Sequence, residues 1–509
     1  MHPSTVDPLE ESARLKRYNR RLIGGMVVLL ILGVAAIPVF WHWQAQKRWE
    51  KTKAAWERDI GTLEFYELLP ESIPDEDNFF AIPELAGIAS REKNPAGLLA
   101  KLEGFRMATP DRTTTASTGL PMTQDEVQHW YDALVVEGAL PSLAKESNEP
   151  AKAILEAIDQ LHLDGAKVVK AAGEKSSSQL TPAPLDREWP ENLLSSGTGT
   201  WWSSSQNLVR LMNARGRAAL HSRRSDEAMA SLEVIFHCVE ATKWEPFLIS
   251  RLISITLEHQ AWALVQEGLA MDSWNTDQSG RIIAWLQKLD ADASLRYTIQ
   301  TGASAIVSAD PLMFLGSGAS PTLPQALGIS VPHNRTQQLS LFRLLAELPP
   351  EDGNAAWPMI GKIDALKTDW RSTFLNRWVN QIAIWSFGGF RSIGKEALRQ
   401  VALRKHVRIG LALAAFGRYK DAAPTLLTAL VPDYLERIPV DPIDGKPMRY
   451  LRLPDGYQLW SIGMDGKDDG GDEDKDWLWQ VQKPEPKPKS ETRIISRRRI
   501  LIPPPQFSK

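Results

Sequence analysis

The chain has 509 residues, 43% hydrophobic and 24% charged, enough length and apolar content for roughly two to four domains with a sizeable core. Its net charge is −3, so no global field draws it to nucleic acid. A single cysteine, Cys238, excludes an intramolecular disulfide and a multi-thiolate metal site.

A tail of residues 1–21 ends in a basic cluster, Arg14, Lys16, Arg17, Arg20 and Arg21. Leu22 to Trp41, LIGGMVVLLILGVAAIPVFW, then runs for twenty residues without a charge. At 1.5 Å per residue it covers about 30 Å, the thickness of a hydrocarbon core. Trp41 and Trp43 stand where an interfacial aromatic belt belongs. The run is long for a signal-peptide core and GVAA is a loose cleavage site, so the segment reads as an uncleaved transmembrane anchor. Lys47, Arg48, Lys51, Lys53 and Arg58 follow it, matching the first cluster in number. The first cluster is denser and abuts the span, whereas Glu50, Glu57 and Asp59 dilute the second. That asymmetry predicts a cytoplasmic N-terminus and an exported body.

Residues 43–106 read as a juxtamembrane helix with Trp49 and Trp56 on nearly one face, followed by the proline-interrupted LPESIPDEDNFFAIPEL. Polar linkers are expected at 109–121 and 175–200, on either side of a helical segment at 122–174. A helical domain is expected over 205–395. Leu208, Leu211, Met212, Gly216 and Ala219 form its first stripe, and Ala228, Leu232, Ile235, Phe236 and Val239 the second. Phe247, Leu248, Leu252, Ile255 and Leu257 begin a third, and Ile282, Leu286 and Leu289 a fourth. Short breaks between them imply antiparallel neighbours. Residues 396–480 open with a helix, Glu396–Phe416, and continue into MRYLRL and YQLWSI, with LPDG predicting a hairpin between them. Residues 481–509 alternate proline with charge and are expected to be extended and mostly disordered. The fold class is therefore mainly α: a transmembrane helix, a body of antiparallel helical hairpins and a small C-terminal β element.

Catalytic signatures are sparse. Nine histidines show no metal-ligand spacing, and HExxH, CxxC and GxSxG are absent. His237 and Cys238 share a helix and read as a satisfied structural imidazole and an inert buried thiol. Ser142–Lys145 and Ser392–Lys395 both match S-x-x-K without its companion S-D-N and K-T-G motifs. Gly389–Glu396, GFRSIGKE, approaches a phosphate loop, but Glu396 stands in place of the Mg²⁺-binding hydroxyl. It reads as a glycine turn before a helix. An NTPase through Lys395 would need a cytoplasmic body.

One stretch has a definite chemical reading. Asp465 to Asp476 places seven acids, two lysines and three glycines in twelve residues, with tryptophan directly after. Crowded carboxylates repel unless solvated or neutralised. Ca²⁺ suits them, taking about 6–8 oxygen ligands in flexible geometry. An EF-hand register from Asp465 puts Lys467 at a ligand position, so that loop type is rejected. A structural calcium loop and a solvated acidic turn both remain open from the residues alone.

VPDYLERIPVDPIDGKPMRY followed by YQLWSIGMDGKDDGGDEDKDWLW resembles the C-terminal part of the major, G-type pseudopilins of type II secretion. The matching positions are Pro439, Asp441, Pro442, Gly445, Pro447 and Tyr450, then Ser461, Gly463, Asp465, Gly466, Gly470 and Gly471. That family binds Ca²⁺ in this loop, which implies Asp465 and Asp472 as ligands with Asp469, Asp474 and Asp476 as alternatives. The anchor lacks the family's prepilin cleavage site, and several hundred residues intervene, so the resemblance does not imply a filament subunit. Over most of its length the chain resembles bacterial single-pass membrane proteins with a P-D-E-x-N segment, here Pro74 to Asn78, and the same ending. This implies the inner membrane, with the main body periplasmic. The expected role is a membrane-anchored binding or scaffold protein with protein partners, no nucleic acid and no identified small-molecule substrate. The alternative is a cell-envelope hydrolase using paired carboxylates, which need no local motif.

Overall fold

Helix α1 runs unbroken from Pro8 to Asp59 with Pro38 inside it. At 1.5 Å per residue its 52 residues extend about 78 Å. The structure is a computed structural model that describes residues 8–85, 121–138, 140, 142–161, 163–180, 200–245, 248–290, 294–308, 331–347, 356–372, 381–420 and 423–483. The expected linker over 109–120, the central part of the second linker at 181–199, and the tail beyond 483 lie outside the described residues. The apolar run in α1 is long and apolar enough to cross a membrane, and its described side chains are exposed up to Phe40, with Trp41 half-buried.

Eleven further helices follow among the described residues: α2 (Gln124–Glu137), α3 (Pro150–Leu161), α4 (Leu163–Glu174), α5 (Thr200–His221), α6 (Ser225–Lys243), α7 (Leu248–Ala270), α8 (Thr276–Asp290), α9 (Ser294–Ser308), α10 (Val331–Ala346), α11 (Trp357–Arg371) and α12 (Gln381–Lys420). Helix α2 starts at a capping box. The Thr123 hydroxyl accepts the Glu126 N–H, and the Glu126 carboxylate accepts the Thr123 N–H, satisfying two otherwise orphaned donors. Helices α5, α6 and α7 pack as consecutive antiparallel neighbours, as their stripes predict. Leu208, Leu211, Met212, Ala219, Leu232, Ile235, Phe236 and Val239 are all buried.

Two apolar clusters organise the body. The larger joins α2 to α8, the second half of α12 and the sheet, and includes Trp130, Phe236, Trp262 and Trp274. The smaller gathers Trp49 and Trp56 of α1, Phe342 of α10, Trp370 of α11, Ile393 and Leu398 of α12, and Ile443 and Ile462.

Helix α12 crosses from one cluster to the other, which corrects two sequence expectations. The boundary placed at 395/396 falls within the helix, and Gly389–Glu396 is helix rather than turn. A glycine in a helix costs about 1 kcal/mol relative to alanine, and burying Ile393, Ala397 and Leu398 offsets that cost. The start of the 175–200 linker is also corrected. Ser177 pairs with Asn78, and Ser178 and Leu180 are buried. Two side chains hold this segment: Lys175 donates to the Asp75 and Glu76 carbonyls, and Asn78 to the Gln179 carbonyl.

The C-terminal element is a three-stranded antiparallel sheet in the order β1 (Arg449–Leu453), β2 (Gly456–Ser461), β3 (Trp477–Gln482). The register pairs Arg449 with Trp460 and Leu459 with Trp479. The hairpin matches the sequence expectation. Strand β3 is an addition to that expectation, and it takes residues 481 and 482 from the segment expected to be disordered. Its alternation is legible in hindsight: Trp479 and Val481 face the core beside Tyr457 and Leu459 of β2. This face packs on α7 and α12, and the Gln266 amide donates to the Gln480 carbonyl.

Candidate functional site

The acidic loop joins β2 to β3, and its base is a buried carboxylate on the preceding turn. Asp441 is fully buried. One of its oxygens accepts the Ile443 N–H at 2.8 Å and the Ser461 hydroxyl at 2.8 Å. The other accepts the Ile462 N–H at 2.9 Å and the Arg449 guanidinium. Burial holds the Asp441 carboxyl above its ordinary range despite these donors. Arg449 bridges onward to Asp444 at 2.5 Å and to Asp468 at 3.1 Å. The Trp460 indole donates to Asp468 at 2.9 Å, which with Arg449 holds that carboxyl below its usual range against partial burial. Arg449 therefore locks the 441–444 turn, strand β1 and the start of the acidic loop together.

Two glycines shape the loop. A Cβ on Gly463 would overlap the Lys475 carbonyl, so the outgoing and returning strands approach there as only glycine allows. Gly466 has φ +72°, and a Cβ there would lie 2.6 Å from the Trp357 ring, so the α11 indole is seated on bare backbone. The first turn of α11 is stitched to the same region, with the Ala356 and Trp357 N–H groups donating to the Pro442 and Ile443 carbonyls at 3.0 Å.

The five expected ligands are placed as follows. Asp465 is exposed and accepts the Lys467 N–H. Asp472 accepts the Asp474 N–H, and Asp474 is itself exposed. Asp469 accepts the Lys475 ammonium at 3.0 Å through one oxygen. Asp476 is 3% exposed, and one of its oxygens accepts the Asp469 and Gly471 N–H groups at 3.2 and 2.8 Å. The remaining oxygens of Asp469 and Asp476 are buried without a hydrogen-bond partner. Burial holds the Asp476 carboxyl above its ordinary range against the Gly471 N–H, and the Asp468 charge adds to the effect. The loop thus ties Asp469 to Asp476, while Asp465 and Asp472 each serve their own short turn. Among the described residues, no group of three or more His, Cys, Asp or Glu side chains is arranged to hold a metal ion.

The other motifs resolve into structural roles. Ser142 donates to the Ala157 carbonyl, with Lys145 exposed to solvent. Ser392 and Lys395 lie inside α12. His237 is buried, engages Ser178 at 2.5 Å and the Ala172 carbonyl at 2.9 Å, and stacks on Phe79. Burial holds it down to about 4 and therefore neutral. The Cys238 thiol is raised by burial and inert. Sequence reasoning missed two buried ionic clusters. Arg404 of α12 forms a two-pronged pair with Glu258 of α7 at 2.7 and 2.9 Å, and Trp262 donates to the same carboxylate. Glu267 takes Arg217 at 3.2 Å, His221 at 2.8 Å and the Met122 N–H. The Arg404 and Glu258 positions are 146 residues apart, and no local pattern announces such a pair.

No family model matches the chain, and no curated protein or solved structure matches it either.

Proposed function

We propose that this chain is a single-pass, membrane-anchored scaffold or binding protein of the bacterial inner membrane, with its helical body on the periplasmic side. The observation that carries the reading is α1. Its exposed apolar run continues without a break into a segment whose Trp49 and Trp56 are built into the body. A helix exposing some twenty apolar residues in water is strongly unfavourable, and a bilayer removes that cost. The pseudopilin-like ending supports a secretion or pilus-like apparatus as the source of protein partners. Reporter fusions at the C-terminus test the topology: activity of a periplasmic reporter is expected, and activity of a cytoplasmic one overturns the reading.

The acidic loop is proposed as a structural Ca²⁺ site that closes the β element. The two buried oxygens without partners, on Asp469 and Asp476, are the natural first donors. Backbone carbonyls of the loop and water would complete the shell, since Ca²⁺ accepts both. Bound Ca²⁺ would supply charge neutralisation rather than chemistry. Millimolar Ca²⁺ is expected to raise the melting temperature of the full chain over that in chelator, and Asp476→Asn to abolish the difference. An unchanged melting temperature would leave the loop as a hydrogen-bonded acidic turn.

A further inference from the structure

We propose that the body sits directly on the bilayer, with the first turn of α10 in the lipid headgroup layer at the depth of Trp41. This rests on the membrane-anchor reading of α1. The side chains of Leu29, Leu30, Val39 and Phe40 are 57–69% exposed. Ala45 is 1% exposed and Trp49 6%. Ala45, the first buried side chain, follows the exposed Phe40 by five residues, or about 7.5 Å of helix. No linker separates span from body.

The contacts on either side of this level agree in depth. On the body side, the Trp41 ring lies 5.4 Å from His333 in the first turn of α10. On the outer side, Phe40 stacks on Trp43 at 5.9 Å, Trp43 is 51% exposed, and the Lys47 ammonium lies 3.8 Å from the Trp43 ring centre. An exposed aromatic pair with a cation one turn further out suits the headgroup boundary, where rings meet the acyl edge and the ammonium reaches phosphate. Helix α10 then leads away in the same direction as α1, since the contacts pass from Trp41 with His333 to Asp59 with Arg343 at 2.7 Å. Arg343 lies ten residues beyond His333, so it stands up to about 15 Å further from the membrane along the helix. The occupant of this face is the bilayer surface itself, continuous with the span.

Depth-dependent quenching tests this. The full chain is placed in vesicles of phosphatidylethanolamine and phosphatidylglycerol carrying nitroxides either on the headgroup or deep in the acyl chain. Fluorophores are attached at Leu30→Cys, His333→Cys, Thr336→Cys and Glu347→Cys, while Cys238 is buried and stays unlabelled. Labels at 333 and 336 should be quenched by the headgroup nitroxide at least twofold more than the label at 347, and the label at 30 by the acyl-chain nitroxide. Thr336→Cys repeats the measurement with the imidazole retained. Quenching at 30 with 333 and 336 no stronger than 347 overturns the seating and leaves the anchor standing. Strong quenching at 333, 336 and 347 alike means the body lies flat, which also overturns it. An unquenched label at 30 removes the anchor itself.

Discussion

Glu258 and Arg404 show what a single residue contributes when its partner lies in a distant helix. Their side chains are 0% and 3% exposed, so each charge is stabilised by the other and by few waters. Burial disfavours the Glu258 carboxylate, but Arg404 and its neighbours outweigh that and hold it below the usual range. Glu258→Ala is expected to cost about 3–5 kcal/mol in chemical denaturation, because it strands the guanidinium. The double change Glu258→Leu with Arg404→Met should recover most of that loss. Glu267 gives a pH test. Burial opposes its charge, yet Arg217 and His221 bring it down to about 2 from an ordinary 4.5. A depressed carboxylate stabilises the fold fully above its unfolded value and loses that stability as pH falls through 4.5 towards 2. Urea midpoints of the parent and of Glu267→Gln should therefore converge across that window, over a span of about 3 kcal/mol.

At the scale of elements, the sequence legibly marked those whose burial is local. The stripes at Leu208–Ala219 and Ala228–Val239 became buried faces, and LPDG became the β1–β2 hairpin. The elements missed are those that depend on distant contacts. Strand β3 is short and follows an acidic run, and only its pairing with β2 and packing on α7 make it a strand. Gly389 and Gly394 suggested a break that α12 does not take, because tertiary burial overrides propensity. The candidate loop was visible as composition, whereas its anchor, Arg449 on Asp441, Asp444 and Asp468, joins residues whose roles only the fold reveals. Gly463→Ala is expected to destabilise the sheet by about 3 kcal/mol through overlap with the Lys475 carbonyl. Near-ultraviolet dichroism from the sheet tryptophans should fall while helical signal persists.

For the whole molecule, two histidines buried as neutral rings set an acid limit. His237 and His406 are 1% and 2% exposed. Burial brings them to about 4 and about 3 from an ordinary 6.5. Here the unfolded chain binds more protons, so stability is retained above pH 6.5 and lost as pH falls from 6.5 towards 3. The melting temperature should drop across that interval. His406→Leu should gain on the parent progressively as the pH falls, since it removes one of the protonation sites.

The sheet also imposes an order on biogenesis. Its β3 carbonyl at Gln480 meets Gln266 across 214 residues, among the longest closures in the chain. The helices of the body are made before the sheet that closes on them. Until the C-terminal strands are made, the faces of α7 and α12 that receive Tyr457, Leu459 and Trp479 stay bare. Such late closure is slow, because loop entropy must be met before the contact rewards it. A chain truncated before β3 is therefore expected to keep that apolar surface open and to be cut by protease faster than the full-length chain, in which Leu459, Trp479 and Val481 are buried.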